Sequence, residues 1–162
     1  MRKLDEKSLG NAALHYLKRY SATRKRLGDV LWRKAQRHAR MKKEVLDGVA
    51  VRATIEKVVE RMVQAGYVND VRLADAKVSS LRRQGRSARA IRFKLKTKGV
   101  PAEVIARSTA GLGDGELEAA QVLVARKKLG RVAERRQKDL AALVRAGFAF
   151  GVARKALELA GG

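Results

Sequence analysis

With 162 residues, 46% of them hydrophobic but only 4% aromatic, and a single proline, the chain can build one domain around Ala, Val, Leu and Ile, burying roughly 70% of its unfolded surface. This composition suits helices and argues against a sheet-rich fold. The 38 Lys and Arg against 16 Asp and Glu leave a formal charge of +22, which implies a polyanionic partner; the absence of Cys excludes disulfides and thiol chemistry, and no apolar run could span a bilayer.

Taken in chain order, Leu9, Ala13, Leu14 and Leu17 recur at helical spacing and predict a first helix over about Ser8 to Arg19. Thr23 is placed to cap a long second helix reaching into Leu46, with Leu27, Val30, Leu31, His38, Met41 and Val45 on its stripe. Past Leu31 that stripe weakens, so the distal half is expected either to project or to lie along a neighbour with its charged stems snorkelling. Asp47-Gly48 marks a turn, and Val51, Ile55, Val58, Val59 and Met62 predict a third helix stopped at Ala65-Gly66.

Asn69 and Ser87 stand where N-caps belong, before two helices carrying Val71, Ala74, Val78 and Leu81, then Ala88, Ile91 and Leu95. Gly66 and Gly99 stand where a chain leaves a helix in the left-handed conformation. Pro101 opens a short helix with Val104 and Ile105. Residues 110–115 read as a flexible connector, followed by helices over about Glu116 to Lys128, Val132 to Ala146 and Phe150 to Ala160. The total is nine helices. Tyr67, Phe148 and Phe150, beside helix stops, are expected as core anchors.

Pieces of the pattern recur. Thr23-x3-Leu27-x3-Leu31-x2-Lys34 echoes Ser87-x3-Ile91-x3-Leu95-x2-Lys98, and Leu95 to Val100 echoes Leu143 to Phe148. The fold class expected is all-α, with three tandem three-helix repeats at residues 1–66, 67–111 and 112–162, stacked in an elongated, curved array of undetermined hand. An irregular helical bundle is the competing reading, since caps and helix-ending glycines recur in any all-α protein.

The cations are clustered. From Lys18 to Lys43 the only acid is Asp29; from Arg82 to Lys98 there is none; from Arg126 to Lys138 there is only Glu134. Each expected repeat thus has its own positive patch, and counterion release makes a nucleic-acid backbone the natural partner. On the helix opened by Ser87, Arg89, Arg92 and Lys96 fall on one face, away from Ile91 and Leu95. Trp32 and Phe93 lie off their core stripes, where each could stack on a base, anchor a protein partner or pack on a neighbouring helix. No zinc-finger, basic-zipper or aromatic-rich sheet motif suggests sequence-specific readout.

Catalysis finds little support. His15 and His38 lack suitably spaced carboxylates, so no metal site is expected. Gly111-Leu112-Gly113-Asp114-Gly115 lacks the Lys-Ser/Thr of a phosphate-binding loop. Asp5-Glu6 and Glu116 with Glu118 are explained by helix N-terminal charge. The chain reads as a binding protein, without cofactor and without enzymatic activity. Its first residues lack the apolar centre of a secretory signal and it has no Cys, so a cytoplasmic location is expected by default; the chain is also expected to be a monomer.

The stretch Gly66-Tyr67-Val68-Asn69-Asp70-Val71-Arg72-Leu73-Ala74, followed by Ala90-Ile91 through Leu95, Lys98, Gly99 and Val100, resembles the RecX family of bacterial recombinase regulators. Ala146-Gly147-Phe148-Ala149-Phe150 with Ala153 and Leu157 is similar to that family's closing segment, and Leu14, Leu17, Arg24, Leu27 and Leu31 to its opening one. Leu73, Lys77 and Lys94 depart from the family's commoner Phe, aromatic and acid, making this chain more basic and less aromatic. The resemblance implies three tandem three-helix repeats that bind the RecA nucleoprotein filament on single-stranded DNA and restrain ATP hydrolysis and strand exchange. Arg24, Arg33, Arg37, Arg40, Arg89, Arg92, Lys96, Arg135 and Arg136 are the expected contacts. Asp70 and Arg72 are expected to be a structural cap and pair. The alternative is an architectural nucleic-acid-binding protein with no recombinase partner.

Overall fold

The computed structural model describes residues 5–161; the chain start at 1–4 and Gly162 lie outside the described residues. Among those described, the protein is all-α, with helices α1 (Glu6–Leu17), α2 (Arg24–Lys42), α3 (Gly48–Gln64), α4 (Asp70–Arg83), α5 (Ala88–Thr97), α6 (Ala102–Ser108), α7 (Glu116–Lys127), α8 (Arg136–Arg145) and α9 (Phe150–Ala160). Short 3-10 turns at Leu112–Gly115 and Ala133–Arg135 precede α7 and α8. Two compact units divide the chain. The first runs up to Leu73 and includes Lys98–Val100; the second takes Ala74–Thr97 and the chain from Pro101 onward.

In the first unit α1, α2 and α3 pack against one another. Leu9 and Ala13 of α1, Leu27 and Leu31 of α2, and Ile55, Val58, Val59 and Met62 of α3 form the core that their spacing foretold. Each fully buried aliphatic side chain contributes about 1.5–3 kcal/mol. The distal half of α2 packs rather than projects, through Ala35 and Ala39, both buried. Met41 and Val45, expected on the same stripe, are instead exposed. The reason is local: α2 stops at Lys42, Lys43 turns left-handed at φ 55°, and the Glu44 N–H bonds back to the Ala39 carbonyl. Asp47 then caps α3, accepting from the N–H groups of Val49 and Ala50.

The second unit centres on α7, which packs on α9, itself holding α8. Ala120, Leu123, Leu143, Phe148, Ala153 and Leu157 are the heart of this core. Helix α8 starts four residues later than its expected Val132, because the buried Asp139 carboxylate accepts the Gly130 N–H at 2.8 Å and holds the preceding loop in a turn. The connector at 110–115 is not loose: Arg82 donates to the Leu112 carbonyl. Tyr67 and Phe150, expected as core anchors, are exposed, and only Phe148 is buried. Tyr67 lies in the exit turn of α3, its N–H bonded to the Met62 carbonyl, and Phe150 is the first residue of α9; at such ends a side chain is exposed unless another element covers it, as happens at Phe148.

One device is built twice, once in each unit. The Thr23 hydroxyl accepts from the Arg26 N–H and donates to the Lys98 carbonyl at 2.9 Å, while Asp70 Oδ1 accepts from the Arg24 N–H at 3.0 Å. The Ser87 hydroxyl accepts from the Ala90 N–H and donates to the Ala146 carbonyl at 2.7 Å, while Glu116 Oε1 accepts from the Ala88 N–H at 2.8 Å. In both cases the accepting carbonyl immediately precedes a left-handed glycine, Gly99 at φ 78° or Gly147 at φ 95°. Gly147 is required sterically as well, since a Cβ there would lie 2.5 Å from Ser87 Oγ. The sequence echoes at Thr23/Ser87 and Lys98-Gly99/Ala146-Gly147 therefore mark equivalent joints. At each joint a hydroxyl and a carboxylate together satisfy N–H groups that the first turn of a helix leaves unpaired.

Candidate nucleic-acid interface

The joints described above hold the N-termini of α2 and α5, the two helices carrying the densest cations. On α2, Arg33, Arg37 and Arg40 recur at four- and three-residue steps and are all exposed, opposite the buried Leu31, Ala35 and Ala39. The Arg33 Nε donates to the Asp29 carbonyl at 3.2 Å, which steadies the stem and leaves the outer guanidinium nitrogens available. Arg24 is differently placed: its guanidinium pairs with Glu60 at 2.7 Å.

On α5, Ile91 and Leu95 are completely buried, which fixes the helix's rotation and turns Arg89, Arg92 and Lys96 to solvent. Among the described residues none of these three is paired with a carboxylate; Arg92 Nε donates to Thr109 Oγ1 at 3.0 Å. Lys94 adds to the exposed charge. Arg135 and Arg136 are exposed at the junction of the second 3-10 turn with α8. Within the first unit, Arg24, Arg33, Arg37 and Arg40 share one helix; within the second, Arg89, Arg92 and Lys96 share another, while Arg135 and Arg136 lie on a separate element.

Not every cation of the basic runs is a surface charge. Arg82 pairs with Glu116 at 2.6 Å, with both side chains less than one-fifth exposed, and also donates to the Leu112 and Arg86 carbonyls. It is a structural tie between α4, α7 and the turn before α7. Spacing could not separate Arg82 from its exposed neighbours, because its partner is 34 residues away.

The two off-stripe aromatics part company. Trp32 is half-buried against the core of the first unit, with the Arg52 guanidinium 4.0 Å above its ring. Together they border a cleft of about 280 Å³ between α2 and α3, lined also by Lys25, Asp29 and Glu56. Arg52 had no distinguishing signal in the sequence. Phe93, by contrast, is 68% exposed among the α5 cations. Of the motif pair, Asp70 serves as a cap, but for the N-terminus of α2, and Arg72 contributes its backbone N–H to Asn69 Oδ1 at 2.9 Å. No group of three or more His, Asp or Glu among the described residues could hold a metal ion, and no described helix is long and apolar enough to cross a membrane.

Residues 69–108, spanning α4 to α6, match the family described as RecX, second three-helix domain. A protein of Myxococcus xanthus named Regulatory protein RecX is 42% identical over 170 aligned positions, covering 97% of this chain and 88% of that protein. The chain belongs to the RecX family. A second RecX protein, from Agrobacterium fabrum, is 32% identical over 92% of this chain and 81% of its own length. The crystal structure of RecX from Lactobacillus salivarius superposes with a TM-score of 0.69, covering 96% of each chain at 18% identity, so the RecX fold is kept where little sequence is. The Gly66–Ala74 motif of this RecX member thus supplies one cap of α4, through Asn69, and one cap of α2, through Asp70.

Proposed function

We propose that this chain regulates the RecA recombinase by binding the RecA filament assembled on single-stranded DNA, and that it restrains ATP hydrolysis and strand exchange. The observation that carries this reading is the pair of unneutralised cationic faces on α2 and α5 in a chain of the RecX family. Arg33, Arg37 and Arg40 form one contact surface and Arg89, Arg92 and Lys96 another, with Arg135 and Arg136 contributing from the junction of the second 3-10 turn with α8. Arg24 joins them by exchanging Glu60 for a phosphate or an acidic side chain. The chain acts as a cytoplasmic monomer and does no chemistry of its own; its effect comes from occupying the filament.

The functional units are the three-helix segments 1–66, 67–111 and 112–162. The family match to α4–α6 as a second three-helix domain supports that division, as does the twice-built capping joint. Exposed phosphates and acidic protein surface both favour these faces through release of condensed counterions and direct pairing.

The deciding measurement is the single-strand-dependent ATPase rate of RecA, with and without this protein, beside its affinity for bare and RecA-coated single strands. The expected result is a falling rate and tighter binding to the coated strand. An unchanged rate at saturating protein would defeat the regulator reading. Equal affinity for coated and bare strands would leave an architectural nucleic-acid binder.

A further inference from the structure

We infer that Phe93 is a stacking platform for a base of single-stranded nucleic acid, set inside the phosphate-binding face of α5. The inference rests on the reading above that this face binds nucleic acid. A phenyl ring has no polar atom to hydrate, yet Phe93 is 68% exposed. It cannot turn inward, because Ile91 and Leu95 on the opposite side of the helix are completely buried and the N-terminus of α5 is pinned by Ser87 and Glu116. Arg89 lies one turn before Phe93 and Lys96 one turn after it on the same side of the helix, so cations flank the ring along α5, with Arg92 and Lys94 next to it in the chain.

Other exposed or half-exposed aromatics are differently placed: Tyr67, 59% exposed, lies in the turn between α3 and α4 and not on a helix face. Tyr20 packs on Tyr16 with centroids 5.1 Å apart, and Trp32 lies under Arg52. Phe150 is 60% exposed, but the cation one turn along its helix, Arg154, pairs with Glu158 at 3.4 Å. At Phe93 alone among these is an exposed ring combined with several unneutralised cations on one helix face. That combination matches how proteins hold single strands: cations follow the backbone while an aromatic face takes a base irrespective of its identity. A duplex keeps its bases stacked on one another, so the ring discriminates for single strands.

The test compares a single-stranded oligonucleotide containing 2-aminopurine with an abasic oligomer of the same length and charge, and with the corresponding duplex. Phe93→Ala is expected to weaken binding to the base-bearing strand by about five- to 150-fold, the loss found on removing stacked aromatics, and to leave the abasic oligomer and the duplex unaffected. Phe93→Trp keeps wild-type affinity and quenches 2-aminopurine. Phe93→Leu, which keeps apolar bulk without the aromatic face, behaves as Phe93→Ala. Equal loss on the abasic oligomer, restoration by Leu, or no loss in Phe93→Ala overturns the stacking role; restoration by Leu points instead to an apolar anchor for a protein. If Arg92→Gln weakens binding while Phe93→Ala does not, the nucleic-acid reading stands and only the stacking falls. If the wild-type chain binds no oligonucleotide, both fall.

Discussion

Replacing Arg89, Arg92 and Lys96 together by Gln should flatten the salt dependence of single-strand binding without unfolding the protein. The three side chains are exposed and have no carboxylate partner among the described residues, so their removal leaves no buried charge unpaired. The one lost bond, from Arg92 Nε to Thr109, costs about 0.5–1.5 kcal/mol. Relief of like-charge repulsion between positions three and four apart returns a few tenths of a kcal/mol per pair, and Gln is as good a helix former as Arg or Lys. Stability should therefore change by less than about 1 kcal/mol. Each single-strand phosphate contact contributes about 0.7 to the slope of log affinity against log salt, so losing three reduces the slope by about 2. Between 50 and 200 mM salt the wild-type affinity should then fall about 20-fold further than the variant's. Fluorescence anisotropy on a single strand across that range gives both slopes, and helical circular dichroism confirms folding. Leu95→Ala, which empties a completely buried site, is the contrasting control at about 2–5 kcal/mol. An unchanged slope in the folded triple variant would refute the assignment of this face to phosphate contact.

Three further expectations concern the framework and are read from urea unfolding midpoints. Glu116→Ala strands the sheltered Arg82 and uncaps α5, costing about 2–4 kcal/mol, whereas Glu60→Ala, which breaks the exposed pair with Arg24, costs under about 1 kcal/mol. Gly85→Ala and Gly66→Ala both place a side chain at positive φ, 72° and 77°, for about 1–2 kcal/mol. Only Gly85→Ala also drives a Cβ to 2.6 Å from the Leu123 backbone nitrogen, so it should be clearly the more destabilising. Thr23→Val and Ser87→Ala each remove a cap and a hydroxyl bond to a distant carbonyl, for about 1–3 kcal/mol apiece, and similar losses at the two positions are expected of equivalent joints.

Helix number and the rotation of α5 were legible from spacing alone. Ile91 and Leu95 had to face inward and Arg89, Arg92 and Lys96 outward, because the helical period is a property of the local backbone. The caps at Thr23, Asn69 and Ser87 and the left-handed glycines at Gly66, Gly99 and Gly147 were legible for the same reason: each satisfies or terminates a helix through atoms a few residues away. The family motif marked the stretch in which these signals are densest, although it could not say that Asp70 would cap α2 rather than its own helix.

What only the tertiary structure decided is which distant group meets which. Thr23 and Ser87 were visible as caps, but their second bonds, to Lys98 and Ala146, join segments 75 and 59 residues apart. Arg82 and Arg92 stand in one basic run, yet one is tied to Glu116 and the other faces solvent. Trp32 and Phe93 were equivalent on their helical wheels, and Met41 and Val45 were equivalent to buried neighbours. A wheel assigns a side chain its direction; whether anything lies in that direction depends on where α3, a loop or an open face has been packed. By itself the sequence determined the helices, their inner faces and the positive surplus, all set by neighbours along the chain. The docking of one element on another determined which charges are neutralised and which aromatics are left uncovered.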